Sequence, residues 1–242
     1  MTARIDRLWP TAAENLTDDD LIATLATAAP TVRFNFVSSL DGSATHEGLS
    51  GGLSGAADKR HFELLRRVCD VVLVGAGTVR SEGYGPMRVS DASVRWRVRH
   101  GMPEHPVFAI VSGSLDLDPR SRIFREAPVR PIVVTSARAS GLAAIAAVAD
   151  VVVAGEEHVV IAEALRGIRS HGHQQVLCEG GPSLFGSFIA ADQVDELCVT
   201  IEPTLEAGDG PRIAHGETPS SRGMRLGHVL RSGDSLLLRY TR

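Results

Sequence analysis

The sequence predicts an α/β fold: a mostly parallel central sheet with helices on both faces and an antiparallel C-terminal hairpin. Three observations carry this expectation. Short apolar runs recur at 71–74 (VVLV), 107–111 (VFAIV), 131–134 (PIVV), 151–153 (VVV) and 175–178 (QVLC), as in strands covered on both sides. Stretches of helical character separate them, the alternation that builds parallel sheets. The last two strand-like segments, 225–231 and 235–241, are linked by Ser232-Gly233-Asp234, which reads as a hairpin.

Taken in order, residues 17–29 (TDDDLIATLATAA) read as a short helix capped by Thr17 or Asp18. Residues 32–38 (VRFNFVS) read as a strand. Residues 55–68 place Phe62, Leu64, Leu65 and Val68 on one helical face. The segment 80–106 is the longest irregular stretch and so a candidate active-site loop. Within it Arg95, Arg97 and Arg99 alternate with Val94, Trp96 and Val98, the pattern of an extended segment with a wet arginine side. Further helices are expected at about 138–149, 157–169 and 182–191, a strand at 195–203, and a Gly- and Pro-containing loop at 204–223. The organisation is an N-terminal extension (1–30) followed by one domain (31–242).

With 242 residues, 43% hydrophobic and 22% charged, the chain has the makings of a packed core and not of a disordered or fibrous protein. A formal net charge of −4 argues against a general nucleic-acid coat, which needs a basic face. No apolar run reaches the length of a membrane span. The start, MTARIDRLWP, lacks the basic, apolar and small-residue regions of a signal peptide, so a cytoplasmic address is expected. Cys69, Cys178 and Cys198 lie far apart in apolar runs and read as small core residues. No paired spacing suggests a metal site. Of the 25 basic residues only Lys59 is lysine, and no P-loop pattern surrounds it.

Ligands of open α/β sheets bind beyond the carboxyl ends of the strands, and three such ends are unusual. Gly180-Gly181-Pro182-Ser183 follows the strand VLCE. Two glycines permit a tight turn, Pro182 suits a first helical position, and the free amides of a helix start favour phosphate. The plainer alternative is a simple strand-to-helix turn. Gly75-Ala76-Gly77-Thr78 follows VVLV, but lacks the third glycine and the later acidic residue of a Rossmann fingerprint. Close helix–strand packing is its plainer alternative. Ser38-Ser39-Leu40-Asp41-Gly42 follows VRFNFV, where Asp41 either serves a ligand or only caps its own turn. Arg88 and Arg66 are candidates for a substrate phosphate.

Together the segments VRFNFVSSLDG, DVVLVGAGTVRSEGYGPMR, CEGGPSLFGSFI and DQVDELCVTIEPTL resemble, in order and spacing, the reductase domain of riboflavin biosynthesis, a dihydrofolate-reductase-like fold. The resemblance spans about residues 30–240. The zinc-bearing deaminase domain that often precedes that domain is not among these residues, so the match is to the stand-alone form. The resemblance implies an NADPH-dependent reduction of the ribosylamino group of a pyrimidine 5′-phosphate to ribitylamino, with hydride delivered to the sugar C1′, and a homodimer.

Carried over by motif, the cofactor side is Val37, Ser38, Gly52, Gly75, Ala76, Gly77, Thr78, Glu82, Ser112, Gly180, Gly181, Pro182, Ser183, Leu184, Phe185, Gly186 and Ser187. The substrate side is Ser50, Arg66, Pro86 and Arg88, and the reacting centre is Asn35, Asp41 and Glu179. Two departures stand out: Asn35 replaces the family's usual lysine, and Glu82 its usual aspartate. Two alternatives therefore stay open, a dihydrofolate or other pterin reductase and a non-catalytic NADP-binding protein.

Overall fold

The computed structural model describes residues 3–216 and 220–242. Residues 217–219 of the expected loop, and 1–2 of the extension, lie outside the described residues. Ten strands form one sheet: β1 (Asp6–Trp9), β2 (Thr31–Ser39), β3 (Val71–Gly75), β4 (Val107–Val111), β5 (Ile132–Thr135), β6 (Asp150–Val153), β7 (Gln175–Cys178), β8 (Glu196–Glu202), β9 (Arg225–Ser232) and β10 (Ser235–Thr241). Their order is β1-β9-β10-β8-β2-β7-β3-β4-β5-β6. Every pair from β8 to β6 is parallel, and the pairs β8–β10, β10–β9 and β9–β1 are antiparallel.

The apolar runs follow from burial on two sides. In β3, Val71 and Leu73 enter one core with Val32, Phe34 and Val176, while Val72 and Val74 enter the other with Leu65, Phe108 and Ile110. Side chains alternate across a strand, so VVLV has no wet face.

The helices are α1 (Asp18–Leu25), α2 (Ala56–Val68), α3 (Ala76–Ser81), α4 (Asp91–Arg99), α5 (Arg122–Arg125), α6 (Leu142–Ala146), α7 (Ile161–Ser170) and α8 (Pro182–Ala190). Thr17 and Asp20 form a reciprocal capping box at α1. The helix expected at 138–149 shrinks to α6. Its N-cap, Gly141, has φ +87° and ends the preceding turn.

Three expectations need correction. The hairpin β9–β10 is present, joined through Ser232 and Ser235, but it does not end the sheet. β1 pairs outside it, so part of the N-terminal extension belongs to the sheet. Four residues are too few to show an alternating pattern. The segment 80–106 is not irregular throughout, because it carries α4. Its arginines do not form a wet extended side, since Arg97 is fully buried. The Arg97 guanidinium donates to the carbonyls of Cys69 (2.7 Å), Arg67 (3.0 Å) and Pro103 (2.7 Å). It thereby satisfies orphan carbonyls at the C-terminal end of α2. Six alternating residues imitated a strand, while Ser90, accepting from the Ser93 amide, set the helix start. The three cysteines are free and buried. Burial pushes the Cys69 thiol up to about 12 and Cys198 to about 11.

Candidate active site

The central strands β8, β2, β7 and β3 end on the same side because they run parallel. Two glycine turns meet there. The Gly75 amide donates to the Gly180 carbonyl at 2.8 Å, and the Glu179 amide to the Leu73 carbonyl at 3.0 Å. Gly180 has φ +104°, a conformation that favours glycine. A Cβ on Gly181 would collide with Thr78 Oγ1. The turns are thus mutually fitted, and each carries a small helix away from the sheet, α3 and α8.

Two clefts open against them. The first is a groove of about 340 Å³ lined by the Gly75–Gly77 turn, by Ser112, Gly113 and Ser114 after β4, by Arg80 of α3, and by Ser183, Leu184 and Ser187 of α8. No side chain caps α8, so its first amides remain available, and the helix end carries partial positive charge. Gly75, Ala76, Gly77, Ser112, Ser183, Leu184 and Ser187, all expected on the cofactor side, come together here.

The second is a cavity of about 530 Å³. Its floor is Asn35, Phe36 and Val37 at the end of β2, with Glu179 after β7. Its walls include Ser50, Ser54, Thr78, Glu82, Tyr84, Gly181 and Pro182, together with Asp58, Lys59 and Phe62 of α2. Asn35, Val37, Ser50, Thr78, Glu82, Glu179, Gly181 and Pro182 were expected near a ligand. Asp58, Lys59, Phe62 and Tyr84 were not.

Glu179 is the most organised group. Arg66 donates to both its oxygens, at 2.6 Å each, and Tyr84 donates its hydroxyl at 2.9 Å. Burial, reinforced by Glu179, raises Tyr84 well above the ordinary phenol range, so it keeps the proton it donates. Glu82 accepts from the Ser50 amide at 3.0 Å and so fixes the short 3₁₀ turn Ser50–Gly52. The Asn35 side-chain oxygen is buried without a hydrogen-bond partner among the described residues. Burial raises Asp58 above the usual carboxyl range, against the lowering influence of the Ser54 donor and the nearby Thr200 hydroxyl.

Several expected residues make contacts within the protein itself. Arg66 does not line the cavity; it is committed to Glu179 and stacks 4.2 Å over the Phe62 ring. Arg88 donates to the Glu126 carbonyl at 2.9 Å and lines neither cleft, and Pro86 lines neither. Asp41 does not line the cavity either. It accepts from Ser39 Oγ and from the Ala207 and Glu206 amides, which pull its carboxyl down to about 2 and pin the 39–43 turn to the loop after β8. Ser38 donates to the Ser39 carbonyl. Gly52 packs under His46, Gly180 against Phe36, and Gly186 against the backbone at His215. Phe185 is core, its ring 4.5 Å from that of Phe34. Glycine and phenylalanine within a motif mark packing as readily as contact, which sequence spacing does not separate.

The site is that of an α/β domain with a backbone-lined groove beside an acid-rich cavity. The chain belongs to the RibD C-terminal domain family, whose model matches residues 30–238. It is 29% identical over 218 residues to a 2,5-diamino-6-ribosylamino-4(3H)-pyrimidinone 5′-phosphate reductase of Methanothermobacter thermautotrophicus, covering 88% of this chain and 98% of that one. It is 26% identical over 184 residues to the riboflavin biosynthesis protein RibD of Mycobacterium tuberculosis, covering 75% of this chain and 44% of that longer one. A pyrimidine reductase-like protein from Corynebacterium diphtheriae has the same fold, with a TM-score of 0.82 at 24% identity over 93% of this chain and 98% of that one.

Proposed function

We propose that the protein is an NADPH-dependent reductase of riboflavin biosynthesis. It converts the ribosylamino group of a 5-amino-6-(5-phosphoribosylamino)uracil-type pyrimidine to ribitylamino. The observation that carries this reading is the contact between the Gly75 and Gly180 turns, which sets an anion groove directly beside the cavity. The groove fits a dinucleotide's phosphates: main-chain amides, the Ser112, Ser114, Ser183 and Ser187 hydroxyls and Arg80 line it. Bound there, a reduced nicotinamide supplies the hydride.

The chain's own residues do the rest. Glu179, held from behind by Arg66 and Tyr84, presents an oriented acceptor for substrate N–H or O–H groups. The partnerless Asn35 oxygen offers a second acceptor. Lys59, exposed and the one cation lining the cavity among the described residues, takes the 5′-phosphate. Among the described residues no helix is long and apolar enough to cross a membrane. We place the enzyme in the cytoplasm, and as a homodimer, the latter as the family resemblance implies. The test is NADPH oxidation with the ribosylaminopyrimidine phosphate beside dihydrofolate. Turnover of the first alone is expected, and turnover of dihydrofolate alone overturns the assignment.

A further inference from the structure

Reducing a ribosylamino group needs a proton as well as a hydride, and the cavity's acids are not equal candidates to supply it. Glu179 is ion-paired to Arg66 through both oxygens. Asp41 is held far down and lies outside the cavity. Glu82 accepts a backbone amide. Asn35, on the cavity floor, has no proton to give.

Asp58 is different. It stands in the first turn of α2, only 5% exposed, and lines the cavity. Ser54 Oγ donates to its Oδ2. Its Oδ1 is buried with no hydrogen-bond partner among the described residues. A buried carboxyl oxygen without a partner carries a desolvation cost that a ligand or a bound proton relieves. The groups bearing on its charge are Glu202 of β8, which raises it, Lys59 on its own helix, which lowers it, and the Ser54 and Thr200 hydroxyls. Burial outweighs the lowering influences, so the acid form is favoured beyond the ordinary carboxyl range.

We propose that Asp58 is the proton donor of this site. The inference rests on the reading of the substrate as a ribosylaminopyrimidine. The sugar C1′–O4′ bond breaks, its electron pair goes to O4′, and O4′ takes the Asp58 proton. The exocyclic nitrogen lone pair forms the C1′=N⁺ bond. C1′ then receives a hydride from the reduced nicotinamide, which is oxidised, and the π pair returns to nitrogen. Water restores the proton to Asp58. Charge and atoms balance as one hydride and one proton added.

The experiment joins two measurements. Carboxyl-carbon NMR on aspartate-labelled wild-type protein should show one aspartate titrating above the ordinary value of about 3.9, and that signal should be missing in Asp58→Asn. Asp58→Asn should lower kcat at least a hundredfold, the scale of general-acid catalysis, with NADPH affinity by calorimetry within about twofold. The wild-type fall in kcat at rising pH should be absent from the variant. Aspartates that all titrate at or below the ordinary value overturn the inference, even if Asp58→Asn does not fold. So does a variant with wild-type kcat on a pyrimidine phosphate that the wild-type enzyme reduces. A wild-type enzyme that leaves that pyrimidine untouched, while Asp58 titrates high, overturns the substrate reading and supports the acid.

Discussion

The groove and the cavity lie side by side yet are made of different material. The groove is mostly backbone and small side chains: the Gly75–Gly77 turn, Gly113, four serines and one arginine. The cavity is built from side chains of β2, α2, α3 and the segments after β3 and β7, whose sequence positions run from Asn35 to Pro211. The difference teaches that a surface for a dinucleotide is assembled locally, at strand ends, whereas a surface for a particular small molecule is assembled by tertiary structure. It also divides the burdens of mutation. A substitution in the groove acts by steric exclusion of the ligand, and one in the cavity acts through charge and through the stability of α2.

The sharpest way to test that division is Gly77→Val. A Cβ at Gly77 meets nothing within 4 Å, so the fold should accept it. The added side chain projects where ligand must approach the backbone. NADPH affinity by calorimetry should fall at least a hundredfold, about 2.7 kcal/mol, while the melting temperature stays within about 2 °C of wild type. Gly181→Val is a poorer probe, because its Cβ collides with Thr78 within the protein itself. Unchanged NADPH affinity in Gly77→Val would break the assignment of the groove to the cofactor.

What the sequence disclosed follows the same division. Nine of the ten strand segments were legible because burial on two faces or alternation on one writes a pattern into consecutive residues. Gly75-Ala76-Gly77 and Gly180-Gly181 were legible as turns for the same local reason. Asp58 and Lys59 were not, since the helix 55–68 shows in the sequence only through its apolar face. Only the packing of that turn against the end of β8, where Thr200 and Glu202 lie, makes it a cavity wall. Arg66 was legible as important, but its partner Glu179 lies 113 residues away, and no spacing rule reports a distance of that kind. Arg97 shows the opposite failure: a local pattern was present, and a buried set of carbonyls overrode it.

The cavity's dependence on α2 has a pH signature that the groove lacks. His61 of α2 and His228 of β9 are both buried, their ring centroids 6.5 Å apart. Burial, with nearby arginine charge and, for His61, that of His228, lowers His61 to about 3 and His228 to about 4. Both values lie below the unfolded value of about 6.5. As pH falls below 6.5 the unfolded chain therefore takes up protons first, and stability is lost progressively toward pH 3. Urea unfolding at pH 5 should give a stability lower than at pH 7 by on the order of 2 kcal/mol. His61→Leu should remove a large part of that difference. An unchanged pH dependence in His61→Leu would mean that other groups govern acid unfolding and that α2 is not the sensitive wall.

A smaller effect decides which cation meets the substrate. Lys59 lines the cavity, while Arg88 is tethered to the Glu126 carbonyl outside it and Arg66 is spent on Glu179. Lys59→Gln removes one exposed charge from a site that must hold a phosphate partly in water. The KM for the phosphorylated pyrimidine should rise about tenfold, about 1.4 kcal/mol, with kcat little changed, and the KM for the dephosphorylated compound should not move. Arg88→Ala should alter either KM by less than about twofold. The reverse ranking, with Arg88 decisive and Lys59 silent, would show that the segment between α3 and α4 closes onto the substrate. The cavity would then be completed by a rearrangement and not by the α2 wall, and the contrast between a preformed groove and a preformed cavity would hold for the groove alone.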